Sequence, residues 1–476
     1  MTAGIVSYAT YLPTWRLDGT DIGARGDRVV AGFDEDSTTM AVAAADAALS
    51  GGDQVGGVYL VTSSPAYADK TNAVTVHTAL GIESDVVAAD LVGTGKSAVA
   101  GLTLAGHTSG LAVLSDVRVG LPGSLDEKSG GDGAAAFLFG TGQDKPVIAE
   151  LIGAASRSIE ILDRWRAPSS TTGERWEERL GQEIYEPAVR TVVAHALAQA
   201  GIEHVDHAVV ASGNPSVVKR ASRLVPAQRT TTSPVGYSGA ADLGIALAAA
   251  FDVAEPGEVV VAVSVTDGVD VLVFRTTGAI LDARQDVPVA ESRAHGTRVD
   301  YPRYLQWRGL LSRESPRRPE PDRPAAPPSM RNVEWKFALT GTRCNACGFL
   351  HLPPMRICRS CGAGDLMARE RVAGRGGRVA TYTVDRLAYS PSPPVVGAVI
   401  DFDRGGRYTF EVADGAEGIE VGARVTTTFR RLYTAGSVHN YFWKARLLST
   451  VDSGNGSGED GGRSSGVGSR REEIPA

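Results

Sequence analysis

Apolar positions along the chain fall into short runs of strand length, alternating with alanine-rich stretches at helical spacing. Residues 4–9 form the first run, and Thr39–Leu49 reads as a helix behind the acidic Asp34-Glu35-Asp36. Residues 57–63 are an apolar strand that enters a polar loop. Asn72–Leu80 is helical in pattern and Asp85–Leu91 is a second strand. A glycine-rich bend at 93–95 leads into a small-residue helix from Ser97 to Ala105, and 110–117 and 133–139 supply two more short strands. Between about 150 and 300 the order repeats with different residues. Tyr185–Ala200 is a long amphipathic helix, and His207–Ser212 is a strand entering Gly213-Asn214-Pro215. Tyr237–Phe251 is a small-residue helix, and 258–264 with 269–275 close the unit. The strands near 58 and 208 hold equivalent places. The pattern predicts an internal duplication built on a mostly parallel sheet covered by helices.

The pattern then changes. From Pro316 to Pro328, six of thirteen residues are proline, mixed with charge, which predicts an extended linker that cannot pack. Beyond it, short alternating runs at 378–385, 395–402, 406–412, 423–431 and 440–447 predict a small antiparallel barrel. Residues 451–476 are glycine, serine and charge, and are expected to be disordered.

Composition narrows the function classes. A net charge of −7 argues against a general affinity for nucleic acid or anionic membrane. No run reaches the roughly 18 apolar residues of a membrane helix. The first residues carry no basic region ahead of an apolar core, so no signal peptide is expected.

The strongest chemical signal is Cys344-x-x-Cys347 followed, after ten residues, by Cys358-x-x-Cys361, each pair with a glycine just behind it. Two disulfides or two unrelated turns would also use these residues, but four thiolates at this spacing suit one tetrahedral Zn2+ with no open position for water. The role expected is structural. These are the only cysteines, so no thiol precedes residue 344. Cysteines committed to a metal also suggest a reducing, cytoplasmic setting.

Val92-Gly93-Thr94-Gly95-Lys96-Ser97 imitates a phosphate-binding loop. The motif's first glycine falls on Asp90, whose carboxylate repels phosphate, so the glycines are taken to permit a tight bend.

Three stretches of the first part resemble the bacterial and archaeal hydroxymethylglutaryl-CoA synthases. They are Gly4-Ile5-Val6-Ser7-Tyr8 with Tyr11-Leu12-Pro13, Asp34 to Val42, and Tyr67-Ala68-Asp69-Lys70. Tyr237-Ser238-Gly239 and the segment Asp300 to Leu311 match as well. About 335–450 separately resembles the zinc-ribbon-plus-OB-fold proteins that accompany thiolases, through the four cysteines, Pro353-Pro354, Gly376, Val379 and Tyr382-Thr383-Val384. The resemblance implies a duplicated thiolase-like α/β fold (layered αβαβα) over 1–312 and a Pro-rich linker over 313–330. A rubredoxin-like zinc ribbon over 331–374, an OB-fold barrel over 375–450 and the tail 451–476 follow. It further implies acyl-CoA or CoA as substrate, a module that bridges thiolase-type subunits, and a homodimer or an assembly with a separate thiolase.

The family's chemistry implies a cysteine nucleophile, a glutamate acid/base and a histidine. Here these fall on Gly93, on Ser63, and near Ser212-Gly213-Asn214. Thr94 and Ser97 are hydroxyls at the bend, but the sequence names no base beside them. His77, His107 and His195 lie on predicted helices, where core or solvent-facing roles outweigh catalysis. Tyr67 and Tyr237 are the candidate catalytic residues, because some thiolase-like aldolases partnered by zinc-ribbon-OB proteins use tyrosine for retro-aldol cleavage. Four functions stay open: a scaffolding, substrate-binding subunit of a thiolase complex; a cysteine-independent acyl-CoA retro-aldolase or lyase; a divergent hydroxymethylglutaryl-CoA synthase-like acyltransferase; and a single-strand nucleic-acid binder. The last would use Arg369, Arg371, Arg375, Arg378, Arg430 and Arg431 with Tyr382, Tyr408 and Phe410. The same arginines could instead hold the phosphates of CoA.

Overall fold

The computed structural model describes residues 3–448 except 51, 177 and 315–317, so the tail 451–476 lies outside the described residues. One ten-stranded sheet organises the first part of the chain. Its strands are β1 (Gly4–Tyr11), β2 (Val58–Thr62), β3 (Ala88–Val92), β4 (Leu111–Asp116), β5 (Gly133–Gly140), β6 (Ala149–Ser158), β7 (Val205–Ala211), β8 (Ala227–Thr231), β9 (Val259–Val265) and β10 (Gly268–Thr276). Their order is β8-β7-β9-β10-β6-β1-β5-β4-β2-β3. From the centre outwards each half runs through the same sequence of strands, with every strand in the first half matched by the strand five places later. The pairings repeat too: β2 is parallel to β3 and β4, and β7 is parallel to β8 and β9. The predicted duplication is thus present in both topology and direction, but the sheet is mixed rather than mostly parallel, because the pairings through its centre are antiparallel and only the outer strands run parallel.

Within the sheet the halves pair through Ile5 opposite Ala149. Beyond that contact they fold over a shared pair of helices, α3 (Gly95–Thr108) and α6 (Asp242–Phe251), whose alanines and leucines pack with Val61, Leu114, Val209, Ala262 and Leu272 in one core. Outside the first half lie α1 (Ser37–Ala48) and α2 (Ala73–Leu80), and outside the second lie α4 (Glu178–Ala200) and α5 (Pro215–Leu224). These are the five layers of a thiolase-like fold. Strands β2, β4 and β9 are buried along their whole length, as a sheet covered on both faces requires.

Three elements escape the sequence pattern. β6 (AELIGAASRS) has no clean alternation, β8 (AQRTT) is a polar edge strand, and α5 begins directly behind the Asn214 cap. The proline-rich stretch also departs from a free linker. Arg318 pairs with Asp385, the Tyr389 hydroxyl donates to Glu320, and Ala326–Arg331 closes into a helix with proline in its first turn. Proline suits that position because the first helical N–H groups have no partner anyway. Polar side chains, rather than apolar burial, tie this stretch to the barrel.

Strands 407–411, 395–402, 377–385, 424–435 and 438–447 form a five-stranded sheet in that order. A bridge between Val412 and Ala445 brings its two edges together into a barrel. The ribbon strands Thr340–Cys344, Leu350–His351 and Met367–Arg371 precede it. Ribbon, barrel and α1 share one hydrophobic cluster that includes Met40, Ala44, Leu339, Leu350, Val372, Phe429 and Trp443.

Polar groups fix the same junction. The segment before α1 forms its cap, with Asp36 accepting from the Thr39 N–H at 2.9 Å. It also receives the barrel. The fully buried Arg430 lies 3.2 Å from Glu35 and 3.0 Å from Asp414, and donates to the Tyr11 hydroxyl, which in turn donates to Glu35 at 2.6 Å. Lys444 bridges Asp34 at 2.9 Å and Glu411 at 3.0 Å, and the Tyr441 hydroxyl donates to Asp36. Burial pushes the Glu35 carboxyl up to about 7; Arg430 opposes the shift, while Asp414 and Asp34 add to it. Arg431 donates to the Phe33 carbonyl and stands 3.5 Å from Asp36.

Candidate active site and metal centre

The four cysteine sulfurs lie within 4.8 Å of one another. Cys344 and Cys361 are 3.7 Å apart at sulfur, and Cys347 and Cys358 are 3.6 Å apart. A zinc ion with bonds near 2.3 Å places its sulfurs about 3.8 Å apart, so the donor set fits that ion. Each knuckle closes through a glycine in the left-handed region, Gly348 at φ 76° and Gly362 at φ 75°, whose N–H returns to the first cysteine's carbonyl. Two of the sulfur-bearing residues are buried and two exposed, and no open ligand position is implied.

The site expected for acyl chemistry lies where the halves meet at the starts of α3 and α6. β2 ends at Thr62, and the loop behind it is held by Asp116, the wholly buried last residue of β4. That carboxylate accepts from the hydroxyls of Ser63 (2.6 Å) and Ser64, and from the Ala240 N–H at 2.9 Å, so it ties the first half to the turn entering α6. Ser63, where the resemblance puts the family's glutamate, also accepts from Arg118 at 3.0 Å.

Tyr237 sits beside this network. Two guanidinium groups, of Arg118 and Arg164, each stand 5.2 Å from its ring centre. Arg164 is fixed by a two-pronged contact with Asp126. Burial raises the Tyr237 hydroxyl above its ordinary range, while the two arginines pull it back. Tyr237, Asp163, Arg164, Trp176, Ser212, Gly213, Asn214 and Thr266 line a small cavity of about 20 Å3, room for about one water molecule. A side chain at Gly213 would meet the Tyr237 ring at 3.0 Å.

Tyr67 is placed elsewhere. Its hydroxyl accepts from the backbone N–H of His439 in the barrel at 2.7 Å, and its ring packs on the His439 imidazole. The structure therefore separates the two candidate tyrosines, one in the cavity and one in the domain junction. His77 bonds the Glu83 carbonyl, and His195 sits beside Gln199 on the exposed face of α4.

At the bend, a Cβ on Gly93 would stand 2.4 Å from the Ser97 hydroxyl, so a larger residue there would require that side chain to turn away. A far larger cleft, of about 1240 Å3, opens between the free edge of β1, residues 283–287 and barrel loops 413–420. It shares no lining residue with the small cavity.

The barrel arginines are engaged as well. Arg369 meets Glu334, Arg371 meets Asp46, Arg375 meets Glu370, and Arg378 donates to the Gly422 carbonyl. Arg430 and Arg431 serve the junction. Phe410 is buried and Tyr408 packs against Trp335 and Phe442, so neither offers an open stacking face.

Asp242, at the start of α6, is buried, and its carboxyl is pushed up to about 7 by burial, against the hydrogen bonds it accepts from Ser238. Between about pH 4 and pH 7 the unfolded chain loses this proton while the folded one keeps it. Stability therefore falls with rising pH across that window. Asp242→Asn removes this contribution, and urea unfolding at pH 4.5 and 7.5 should show a shallower decline than in the parent; equal slopes would refute it.

The duplicated five-layer fold, with its site between the two central helices, defines a thiolase-superfamily protein. The chain is 31% identical to the hydroxymethylglutaryl-CoA synthase of Archaeoglobus fulgidus over 345 residues, covering 64% of this chain and 98% of that protein. It is 31% identical to the Methanopyrus kandleri synthase, covering 60% of this chain and 91% of that one. The chain belongs to the hydroxymethylglutaryl-CoA synthase family, with an added C-terminal module. Within that module, residues 337–366 match the rubredoxin-like zinc ribbon domain of ChsH2, and 370–430 match the ChsH2 C-terminal OB-fold domain. Among solved structures, an HMG-CoA synthase complexed with CoA superposes with a TM-score of 0.57 at 17% identity, covering 64% of this chain and 90% of that one. The 3-oxoacyl-(acyl carrier protein) synthase III of Pseudomonas aeruginosa PAO1 gives 0.50 at 18%, covering 58% and 98%. Both likenesses speak to the fold. No helix among the described residues is long and apolar enough to cross a membrane.

Proposed function

We propose that the chain binds acyl-CoA and serves as the scaffolding, substrate-binding subunit of an acyl-CoA acyltransferase complex, working beside a separate thiolase that bears the cysteine. One observation carries this reading. Every thiol of the chain sits in the zinc ribbon, and the resemblance puts the family's nucleophile on Gly93. The relatives are named for an acyl-CoA reaction and a structural neighbour holds CoA, which supports CoA thioesters as the ligand class. The docked ribbon and barrel supply a bridging surface in the same chain. A gentle pull-down from the native cells, with native mass spectrometry and a CoA-release assay, tests the proposal. Co-elution of a cysteine-bearing thiolase with the activity supports it. A lone dimer that turns over acyl-CoA by itself overturns it.

Tyr237 favours a second reading, a cysteine-independent lyase for 3-hydroxyacyl-CoA, because it lines the cavity and two arginines stand over its ring. Under that reading Tyr237→Phe lowers turnover at least about 100-fold, the usual worth of a positioned acid or base, with CoA affinity unchanged. Tyr67→Phe should instead weaken domain docking by about 1 kcal/mol through its lost bond to His439. Unchanged turnover in Tyr237→Phe would remove the lyase reading.

A further inference from the structure

Three guanidinium groups gather around Ser63 and Tyr237, and a carboxylate of the protein grips only one of them. Arg164 is held by Asp126. Arg118, just beyond the end of β4, is buried, with 8% of its surface exposed. Its guanidinium donates to the Ser63 hydroxyl at 3.0 Å and stands over the Tyr237 ring. Among the described residues that guanidinium has no other hydrogen-bond partner and no carboxylate within ion-pair distance. A guanidinium carries five N–H donors, so most of its capacity is left over.

Arg166 reaches the same residue from the protein surface, donating to the carbonyls of Ser63 and Ser170. It too meets no carboxylate within ion-pair distance among the described residues. Partial burial and the charges of Arg118 and Arg164 pull its guanidinium below the usual range, and Asp116 offsets them only in part. The Asp116 oxygens are committed to the hydroxyls of Ser63 and Ser64 and to the Ala240 N–H. Pinning the Ser63 loop explains one bond from each arginine. It does not explain why two like charges are brought together there, one of them out of water, since each disfavours the other. Charges taken out of water are ordinarily paired, so Arg118 marks the place of an anion that the protein does not itself supply.

Ser63 is where the resemblance puts the family's acid/base, so the two arginines face the acyl end of a bound thioester. A carboxylate is planar and singly charged, and it matches the flat fork of Arg118 above an aromatic ring better than a heavily hydrated phosphate does. We infer that Arg118 and Arg166 recognise a carboxylate at the far end of the acyl chain, so that this protein selects the CoA thioesters of dicarboxylic acids. The selectivity rests on the substrate-binding reading for its thioester, and no bond is made or broken in it.

Calorimetry on the full-length protein compares three pairs of equal carbon number, beside CoA itself: malonyl- with propionyl-CoA, succinyl- with butyryl-CoA, and glutaryl- with valeryl-CoA. In at least one pair the dicarboxylic thioester should bind about tenfold more tightly or better, the worth of one charge-assisted contact. Arg118→Gln should bring that ratio close to one, and Arg166→Gln should lower it as well. Circular dichroism verifies folding, and Arg166→Gln decides alone where Arg118→Gln fails to fold. Equal affinities within all three pairs overturn the inference and leave the substrate-binding reading standing. A ratio unchanged in every folded variant also overturns it. So does an Arg118→Gln protein whose affinity for CoA itself falls as far as that for the dicarboxylic thioester, because the guanidinium would then be reading the phosphates of CoA. Binding of neither CoA nor any thioester removes both readings.

Discussion

Arg430→Ala destabilises the protein by about 3–5 kcal/mol, the cost of leaving buried charges without their partner. The guanidinium is inaccessible to water and faces Glu35, Asp414 and the Tyr11 hydroxyl, with Asp34 4.0 Å away. Lys444 and Arg431 stay behind, but against Asp34, Glu35, Asp36, Glu411 and Asp414 they leave the junction strongly acidic. Glu35, already raised to about 7 by burial, must then keep its proton to still higher pH. The loss is therefore greatest above pH 7 and shrinks towards pH 5, where carboxyls can be protonated. Urea unfolding of parent and variant at pH 8 and pH 5 measures both effects. The variant should also show the barrel melting apart from the α/β domain, since Arg430 lies in their shared interface. Arg430→Lys keeps the charge but loses the fork, and should recover part of the stability. A loss below about 1 kcal/mol at both pH values would mean that the cluster does not hold the domains together.

Removal of the metal ligands has the second large effect. The ribbon buries few side chains of its own, and four thiolates converge on one point, so its fold depends on an ion joining them. Structural zinc in such small units binds with an apparent 10–16 kcal/mol, more than a ribbon of this size gains from its core. One zinc per chain is expected by elemental analysis. Cys358→Ser should lower that to near zero and expose residues 340–372 to hydrogen exchange. Exchange should spread to the barrel, because Leu339, Leu350 and Val372 of the ribbon share its core. A variant that retained a full equivalent of zinc would show that these sulfurs are not the ligands.

Much of this organisation is legible in the sequence, for a definite reason. Strands such as VYLVT and VVVAVSV are buried on both faces and consist mostly of β-branched and apolar residues, so local composition and tertiary environment largely agree. Cysteine spacing is legible because a knuckle is closed by its own backbone. β8 is not, because an edge strand needs no apolar face, and β6 lacks alternation because it serves as the seam between halves. The acidic Asp34-Glu35-Asp36 is visible before α1 as a helix start, yet its larger role depends on Arg430 and Lys444, about 400 residues away. The arginines of the barrel look like an anion surface in sequence. In the fold most of them face carboxylates brought from other elements.

The repeated strand–helix order, the tetrathiolate knuckles and the lack of a thiol before residue 344 can be read without coordinates, because they are local or compositional facts. Only the tertiary structure decided which side chains act together. It sent Tyr67 to the domain junction and Tyr237 to the cavity, and it set Asp267 against Thr94. Those choices follow from folding two halves over one helix pair, and hydrogen bonds across that seam join residues whose separation along the chain carries no local signal.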